Sequence, residues 1–497
     1  MSPAAVLVVG AGPVGLTLAA ELARRGVPSR IIDQSVGPST TSKAIAIRPR
    51  TLEIFRQMGV IDEVLSRGFM VGAGNFYCNG RLLSRLDFHE LDSPYRFIVD
   101  LPQNETEQVL LEHLARYGLA VERETRLLKI EQDEEGVTVE AARTTGAETF
   151  RCSYVVGCDG AYSTVRHGLG LGFTAAATPE LLALADAEID WMYQHELHVF
   201  MHSDGVLVCF PLPGGRFRLI ADVTSEELAC EGGNDRPLKA TPERLREIMR
   251  RRADAEAKIT DISWLAGFRI RRQIVERYGE GRVFLAGDAA HVPSPAGGQG
   301  MNTGIQDVCN LAWKIHLAVG GRAAAGLLDS YDAERAPVGR KVVALPDLAA
   351  HSTAADLPTM LQQIGEIGIH YRNSPIVAED WSSAAGGPQP GDHAPFVTGL
   401  DGGAHHLLLF AGNEKDLPVL DRVRRLAPEG LVLPWLVTPK AVEWNGPVLL
   451  DENGLLQRSF GVESACVYLI RPDGYVGYRG APVDAGLMSA YLGRIFG

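Results

Sequence analysis

Val6-Leu-Val-Val-Gly10-Ala-Gly12-Pro13-Val14-Gly15-Leu-Thr-Leu-Ala-Ala-Glu-Leu-Ala-Arg-Arg-Gly26 decides the fold. An apolar, β-branched run leads straight into three glycines spaced G-x-G-x-x-G. A helix with small residues on its packing side follows. A second strand, Ser29-Arg-Ile-Ile-Asp33, ends in an acid about twenty residues past the glycines, the full dinucleotide-binding pattern. Gly10 makes the tight turn, Gly12 admits a pyrophosphate, and Gly15 lets helix and strand pack. Pro13 and Val14 complete the loop, and Asp33, followed by Gln34, is placed for the ribose hydroxyls of an adenosine. The pattern predicts a Rossmann-like α/β domain without separating NAD from FAD.

Far along the chain stands Gly281-Arg-Val-Phe-Leu-Ala-Gly287-Asp288-Ala-Ala-His291-Val-Pro-Ser-Pro295-Ala-Gly-Gly298-Gln-Gly300-Met301-Asn302. Its pattern predicts an apolar strand, a Gly-Asp turn, a Pro/Gly-rich loop and a helix starting near Gly300. Asp288 at the strand's end is suited to the hydroxyls of a sugar or ribityl chain. The glycines after it let backbone approach a flat ligand. The helix start aims unpaired N–H groups and a positive dipole end forward. His291 reads as a support for the loop rather than a catalyst.

Between these landmarks, Lys43, Arg48 and Arg50 precede an amphipathic helix ending at Gly59, and could neutralise a pyrophosphate or an anionic substrate. Gln103 follows the strand end Phe97–Asp100 and can donate and accept at once; a helix is expected at Val109–Tyr117. A β-meander is expected at Val121–Arg123, Leu127–Asp133 and Gly136–Ala142. A further buried strand from Cys152 ends in Asp159-Gly160, with Ser163 and Arg166 on the next turn. Arg166 could clamp a phosphate or pair with the acid to fix the turn.

Over 497 residues, 48 basic against 61 acidic side chains give a net charge of −13, which argues against nucleic acid and anionic membrane surfaces as partners. Seven scattered cysteines form no C-x-x-C pair, so neither a zinc site nor a disulfide scaffold is indicated and no metal is expected. A reducing cytoplasm is the expected home, with no signal peptide and no membrane span.

Gly10/Gly12/Gly15 with Asp33, Asp159-Gly160, and Gly287-Asp288 with Pro295 and Gly298–Asn302 occur in order. Together they resemble the FAD-dependent aromatic hydroxylases related to para-hydroxybenzoate hydroxylase. Gly205–Pro213 resembles a strand of that family's substrate domain. Cys466–Arg479 resembles a strand of the thioredoxin-like C-terminal domain in its phenol and polyketide hydroxylase branches. The chain departs from the pattern at Asp33, where Glu is commoner, at Gln34, where Arg is frequent, and at Lys43, where Arg often contacts FAD.

The resemblance implies a discontinuous FAD-binding domain (1–175 and 268–380), an inserted antiparallel-sheet substrate domain (176–267) and a thioredoxin-like domain (390–497) after a Gly/Pro-rich linker at 384–391. The inserted strands are expected at Ala183–Ile189, Glu196–His202, Val206–Leu212 and Arg216–Val223. The resemblance also implies FAD as cofactor, NADPH or NADH as reductant, and O2 with a small aromatic substrate, phenolic or polyketide-derived, hydroxylated through a flavin hydroperoxide. Baeyer–Villiger insertion, or a FAD dehydrogenase or binding module, are the alternatives; a homodimer is left open. Gly10, Gly12, Pro13, Val14, Gly15, Asp33, Gln34, Lys43, Arg50, Gln103, Asp159, Gly287, Asp288, Pro295, Gly298, Gly300, Met301 and Asn302 are the cofactor-binding candidates. Pro295 and Gly298 should also wall the reaction chamber. Candidates for orienting the substrate are Tyr193 and His202, with His195, His198, Phe210, Tyr77, Arg269 and Arg271 beside them. His198, Phe200 and His202 share strand parity and one face, which could line the pocket or meet solvent.

Overall fold

A computed structural model describes residues 4–39, 44–175, 180–193, 196–223, 240–344, 357–381, 386–400 and 403–497. Two compact units emerge from the chain: Met1–Ala20, Pro28–Val308 and Gly339–Ile367 form the first, and Glu21–Val27, Cys309–Val338 and Gly368–Gly497 the second. Lys43 and His195, both named above, lie outside the described residues.

Val6–Val9 is wholly buried because both faces of its sheet are covered, which is why it reads as an unbroken apolar run. Among the described residues, six strands form this sheet in the order Gly279–Glu280, Val283–Leu285, Tyr154–Gly157, Val6–Val9, Ser29–Ile32, Val121–Glu122. All neighbours are parallel except the first pair. The Gly10, Asp159 and Asp288 motifs therefore end on adjacent strands at one edge, where ligands of open α/β sheets bind.

Two expectations are corrected here. Val121–Glu122 belongs to the parallel sheet, paired with Ile31 and Ile32, and not to the meander. The meander consists of Arg126–Gln132, Val137–Arg143 and Gly146–Cys152; a turn through Glu124, with φ of 50°, separates the two sheets. The helix expected at Val109–Tyr117 runs instead over Gln103–Ala115, because Pro102 stops the strand and caps the helix at once. Its polar first turn hides it from a periodicity reading, and Gln103 becomes its first residue.

The inserted strands join a larger sheet with the order Lys258–Ile270, Glu180–Asp190, Arg216–Asp222, Gly205–Leu212, Leu197–His202, Ala73–Cys78, Arg81–Asp87. Neighbours are antiparallel except Leu197–His202 with Ala73–Cys78, which are parallel. The sheet thus draws on residues 73–87 as well, since Leu197–Met201 is buried throughout and needs a pairing partner on its outer side. Alternation splits its side chains into two cores. Leu182, Leu184, Val199, Val208, Phe210 and Ile220 pack with Ile45, Ala46 and Ile98 on one face. Phe200, Leu207, Cys209, Phe217 and Leu219 pack on the other with Leu245, Ile248 and Met249 of the helix Pro242–Arg252.

In the second unit, Ala378–Trp381, Val476–Ala481, Cys466–Ile470, His405–Phe410, Val432–Thr438 and Val448–Leu450 form a mixed sheet in that order, followed by the helix Ala485–Leu492. The segment Cys466–Arg479, expected as one strand, is a hairpin turning at Gly474, whose φ of 79° a side chain would disfavour. Cys466 is buried and its thiol is pushed up by burial, as befits a packed residue rather than a thiol catalyst.

Candidate functional site: a dinucleotide cradle opening on an apolar cavity

The three N-terminal glycines serve three different ends. A Cβ on Gly10 (φ 99°) would lie 2.4 Å from the Cys158 carbonyl oxygen, and one on Gly15 would lie 1.9 Å from the Gly10 carbonyl oxygen. Gly12 has open space where its Cβ would be. Backbone packing thus requires the outer two, while the middle one faces the space a pyrophosphate would take. Asp33 accepts the Ala11 and Ser35 N–H groups, both at 2.7 Å, so the acid also fixes the glycine turn. Gln34 beside it is exposed.

The second half of the cradle is built around Gly287 (φ 57°) and the helix Gly300–Val319. Asp307 accepts the Gly287 N–H at 3.1 Å and holds His291 Nε2 at 2.8 Å. His291, stacked on Tyr278, therefore supports the loop. Gly304 escaped the sequence reading. A Cβ there would lie 2.6 Å from Val14 and 2.9 Å from the Gly287 Cα, so it allows the helix to close on both motifs. The Gly300-x-x-x-Gly304 spacing was the available signal.

Asn302 and Arg48 shape the loop before this helix. Asn302 Nδ2 donates to the carbonyls of Ala46 at 2.8 Å and Gly298 at 3.0 Å, and its Oδ1 accepts the Arg48 N–H at 3.0 Å. The buried Arg48 guanidinium donates to the carbonyls of Ile364 at 2.6 Å and Gly298 at 3.3 Å, and also to that of Gly297. Arg50 was the residue expected at the cofactor. It turns inward to Glu53 at 2.8 Å and does not line the cavity. The helix Pro49–Met58 begins between the two arginines and sends them in different directions.

Asp159 also acts within the chain. Its carboxylate accepts Ser163 Oγ at 2.6 Å and the N–H groups of Thr164 at 2.7 Å and Val165 at 3.2 Å, capping the short helix that follows. Its neighbours Cys158 and Gly160 line the cavity instead. Arg166 lies over the Phe173 ring at 3.8 Å and reaches the Ala289 carbonyl at 3.4 Å.

The cavity measures about 310 Å³. It is lined by Gly12, Pro13, Val14, Ala44–Ala46, Gln103, Asp288, Pro295 and Gly298–Met301 of the cofactor motifs and their neighbours, together with Leu184, Phe210, Ile220, Phe268 and Ile270 of the large sheet. Tyr193 and His202 are not brought to it. Tyr193 packs edge-on against Tyr77, ring centres 5.4 Å apart, in the core on the far face of the sheet. His202 lies 3.5 Å from Asp204 at a hairpin end. Phe210 follows Cys209, the partner of His198 in the sheet, and so faces the other way; it is the named aromatic that does reach the cavity. Arg269 and Arg271 are exposed.

An open backbone at Gly12, two helix starts at Pro13 and Gly300, a lining carboxylate at Asp288 and an apolar wall suit a long ligand with anionic, hydroxylated and flat parts. FAD has those parts in that order. Residues 3–345 match the family described as the FAD binding domain.

The chain belongs to that family.

This FAD-binding-domain protein is 34% identical to 6-methylpretetramide 4-monooxygenase of Streptomyces rimosus, over 98% of its own length and 92% of the relative's. It is 32% identical to pentachlorophenol 4-monooxygenase of Sphingobium chlorophenolicum, over 97% and 95%. Among solved structures it resembles aklavinone-11 hydroxylase, crystallised with FAD and aklavinone, with a TM-score of 0.77 and 27% identity over 98% of each chain. The protein is a FAD-dependent monooxygenase of the aromatic hydroxylase type, and the dehydrogenase and binding-module readings are not favoured. Among the described residues, no helix is long and apolar enough to cross a membrane.

Proposed function

We propose that this enzyme hydroxylates a flat, polycyclic, polyketide-derived aromatic, with NADPH or NADH as reductant and O2 as oxygen source. The observation that carries this reading is the apolar set Leu184, Phe210, Ile220, Phe268 and Ile270, which lines the same cavity as the cofactor motifs. Such a wall selects by shape and excludes water, which oxygen transfer requires. The relatives' names point the same way: one is named for 6-methylpretetramide, and another was crystallised with aklavinone.

Bound FAD would supply electron storage and oxygen activation. Gly12, held between the packed Gly10 and Gly15, would admit its pyrophosphate, Asp33 its ribose and Asp288 its ribityl chain. The start of the helix at Gly300 would favour negative charge on the ring. Pro295 and Gly298 would wall the chamber. Among the described lining residues the ionisable groups are Asp288 and Cys158, and burial pushes the Cys158 thiol well up, so it keeps its proton. Activation of the ring then rests on the substrate's own hydroxyls rather than on a histidine or tyrosine base. The free described cysteines suit a reducing cytoplasm.

Turnover under labelled O2 should place one labelled oxygen on a hydroxyanthraquinone-like substrate, with substrate-accelerated flavin reduction in stopped flow. Peroxide release with every polycyclic aromatic tested, and no labelled product, would count decisively against the reading.

A further inference from the structure

Asp100 ends the strand Ile98–Asp100, and its carboxyl is fully buried with neither oxygen hydrogen-bonded. It stands in register with Ala46, which lines the cavity, and shares a strand face with Ile98 of the cavity-side core. Two guanidinium groups act on it, Arg218 more strongly than Arg48. Arg218 is fully buried and in register with both Phe210 and Asp186, hence on the cavity face. It is already bound to a carboxylate: Nη2 donates to Asp186 Oδ2 at 2.8 Å and Nε to Oδ1. Arg48 is held by the carbonyls of Gly297, Gly298 and Ile364, with Glu366 at 3.5 Å.

A charge buried without a partner is far costlier than a neutral acid. Burial accordingly pushes the Asp100 carboxyl well above its ordinary range, against the pull of Arg218 and Arg48. Once ionised, it must recruit a cation. Moving Arg218 would break its direct hydrogen bonds to the Asp186 carboxylate, whereas Arg48 donates to neutral carbonyls, the weaker bonds, and the Glu366 carboxylate it leaves, 3.5 Å away, keeps the Gln306 amide.

We propose that Asp100 is a positioning residue for the FAD site that acts through Arg48: as a neutral acid it leaves the guanidinium on the Gly297 and Gly298 carbonyls, and as a carboxylate it draws the guanidinium away and slackens that loop. The inference rests on FAD occupying the cavity. FAD affinity is therefore coupled to one buried proton.

The test is the FAD dissociation constant, read from flavin fluorescence between about pH 6 and about pH 9. The wild type should weaken by about tenfold across that range, the worth of one charge-assisted hydrogen bond. Asp100→Asn, with nothing to ionise, should give a flat profile, and Arg48→Met should bind weakly and without slope. A flat wild type, or an Asp100→Asn variant that keeps the wild-type slope, overturns the proposal. Infrared spectra of the apoenzyme near neutral pH should show a protonated-carboxyl band that Asp100→Asn removes. Its absence overturns the proposal and leaves the FAD site standing. Failure of the wild type to bind FAD at any pH overturns the site and the proposal together. The wild-type slope is informative even where a variant does not fold.

Discussion

Asp100 in the first compact unit and Glu334 in the second are both carboxyls with almost no solvent contact, yet their surroundings are opposite. Glu334 accepts Arg471 Nη1 at 2.5 Å and Nη2 at 2.9 Å, Lys314 Nζ at 2.8 Å, Asn310 Nδ2 at 2.7 Å and Ser374 Oγ at 2.6 Å. Asp473 closes the other side of Arg471, at 3.0 Å from Nε. Burial alone would raise the Glu334 carboxyl, but Arg471 and Lys314 outweigh it and hold the group well below its ordinary range. Asp100 has two cations in its field and a hydrogen bond to neither. Burial does not by itself decide what a charge does; partners do. Glu334 is committed to architecture, and Asp100 holds a carboxyl without hydrogen-bond partners on the strand paired with cavity-lining Ala46.

The largest effect should come from breaking the satisfied cluster. Glu334→Gln leaves Arg471 and Lys314 buried and undercompensated, and should cost about 3–5 kcal/mol in denaturant unfolding. The folded-state pKa of Glu334 is depressed, so its contribution is complete above its ordinary value of 4.5 and is lost as pH falls below it. The variant should lose that acid slope, and a variant as stable as the wild type would dissolve the contrast. Asp288→Ala should be next. It deletes one charge-assisted acceptor in the cavity, worth about 1.5–3 kcal/mol, and should cost about tenfold to a hundredfold in FAD affinity. Full flavin retention would sink its role. Asp100→Asn should act with the reverse sign. The folded-state pKa of Asp100 lies above its ordinary 3.8, so its proton-linked stability is complete below that value and is lost as pH rises. The Asn variant, which ionises in neither state, should therefore gain on the wild type from about pH 4 upward, by about 1 kcal/mol or more at neutrality. Equal melting profiles across that range would mean the acid is not strained.

What was legible in the chain follows the same division between local and non-local physics. The Gly10–Gly15 turn, the Gly287-Asp288 turn and the helix from Gly300 are set by backbone requirements of a few consecutive residues, and spacing exposes them. Whether Arg48 or Arg50 faces the loop depends on where the helix Pro49–Met58 begins, which two arginines flanking a proline do not reveal. The pairing of Val121 with Ile31 joins distant segments and leaves no local mark. Strand parity correctly put His198 and Phe200 on one face, but parity alone does not say which face meets the cavity. The far-face core claimed both, and Tyr193 with them.

The smallest expected effect belongs to that far face, and it tests the comparison from a third side. His198 is buried among Tyr77, Trp191, Tyr193 and Phe200, and neither ring nitrogen has a hydrogen-bond partner. Burial holds its imidazole neutral, lowering its pKa to about 4 against the opposing pull of Glu196. Like Asp100 it is a buried ionisable group without hydrogen-bond partners; unlike Asp100, it packs on the face away from the cavity, among the aromatics of the core that helix Pro242–Arg252 covers. His198→Phe keeps a ring of similar shape and removes two unsatisfied polar atoms, so kcat/KM and FAD affinity should stay within about twofold of wild type. Because the folded pKa is depressed, stability tied to this ring is complete above its ordinary 6.5 and drains away as pH falls toward about 4. The Phe variant should be spared that drain, which melting curves across the interval would show. Tyr193→Phe and His202→Ala should be equally silent in turnover. A loss of about tenfold or more in kcat for any of the three would move the chemistry to the far face and make the apolar cavity wall a bystander.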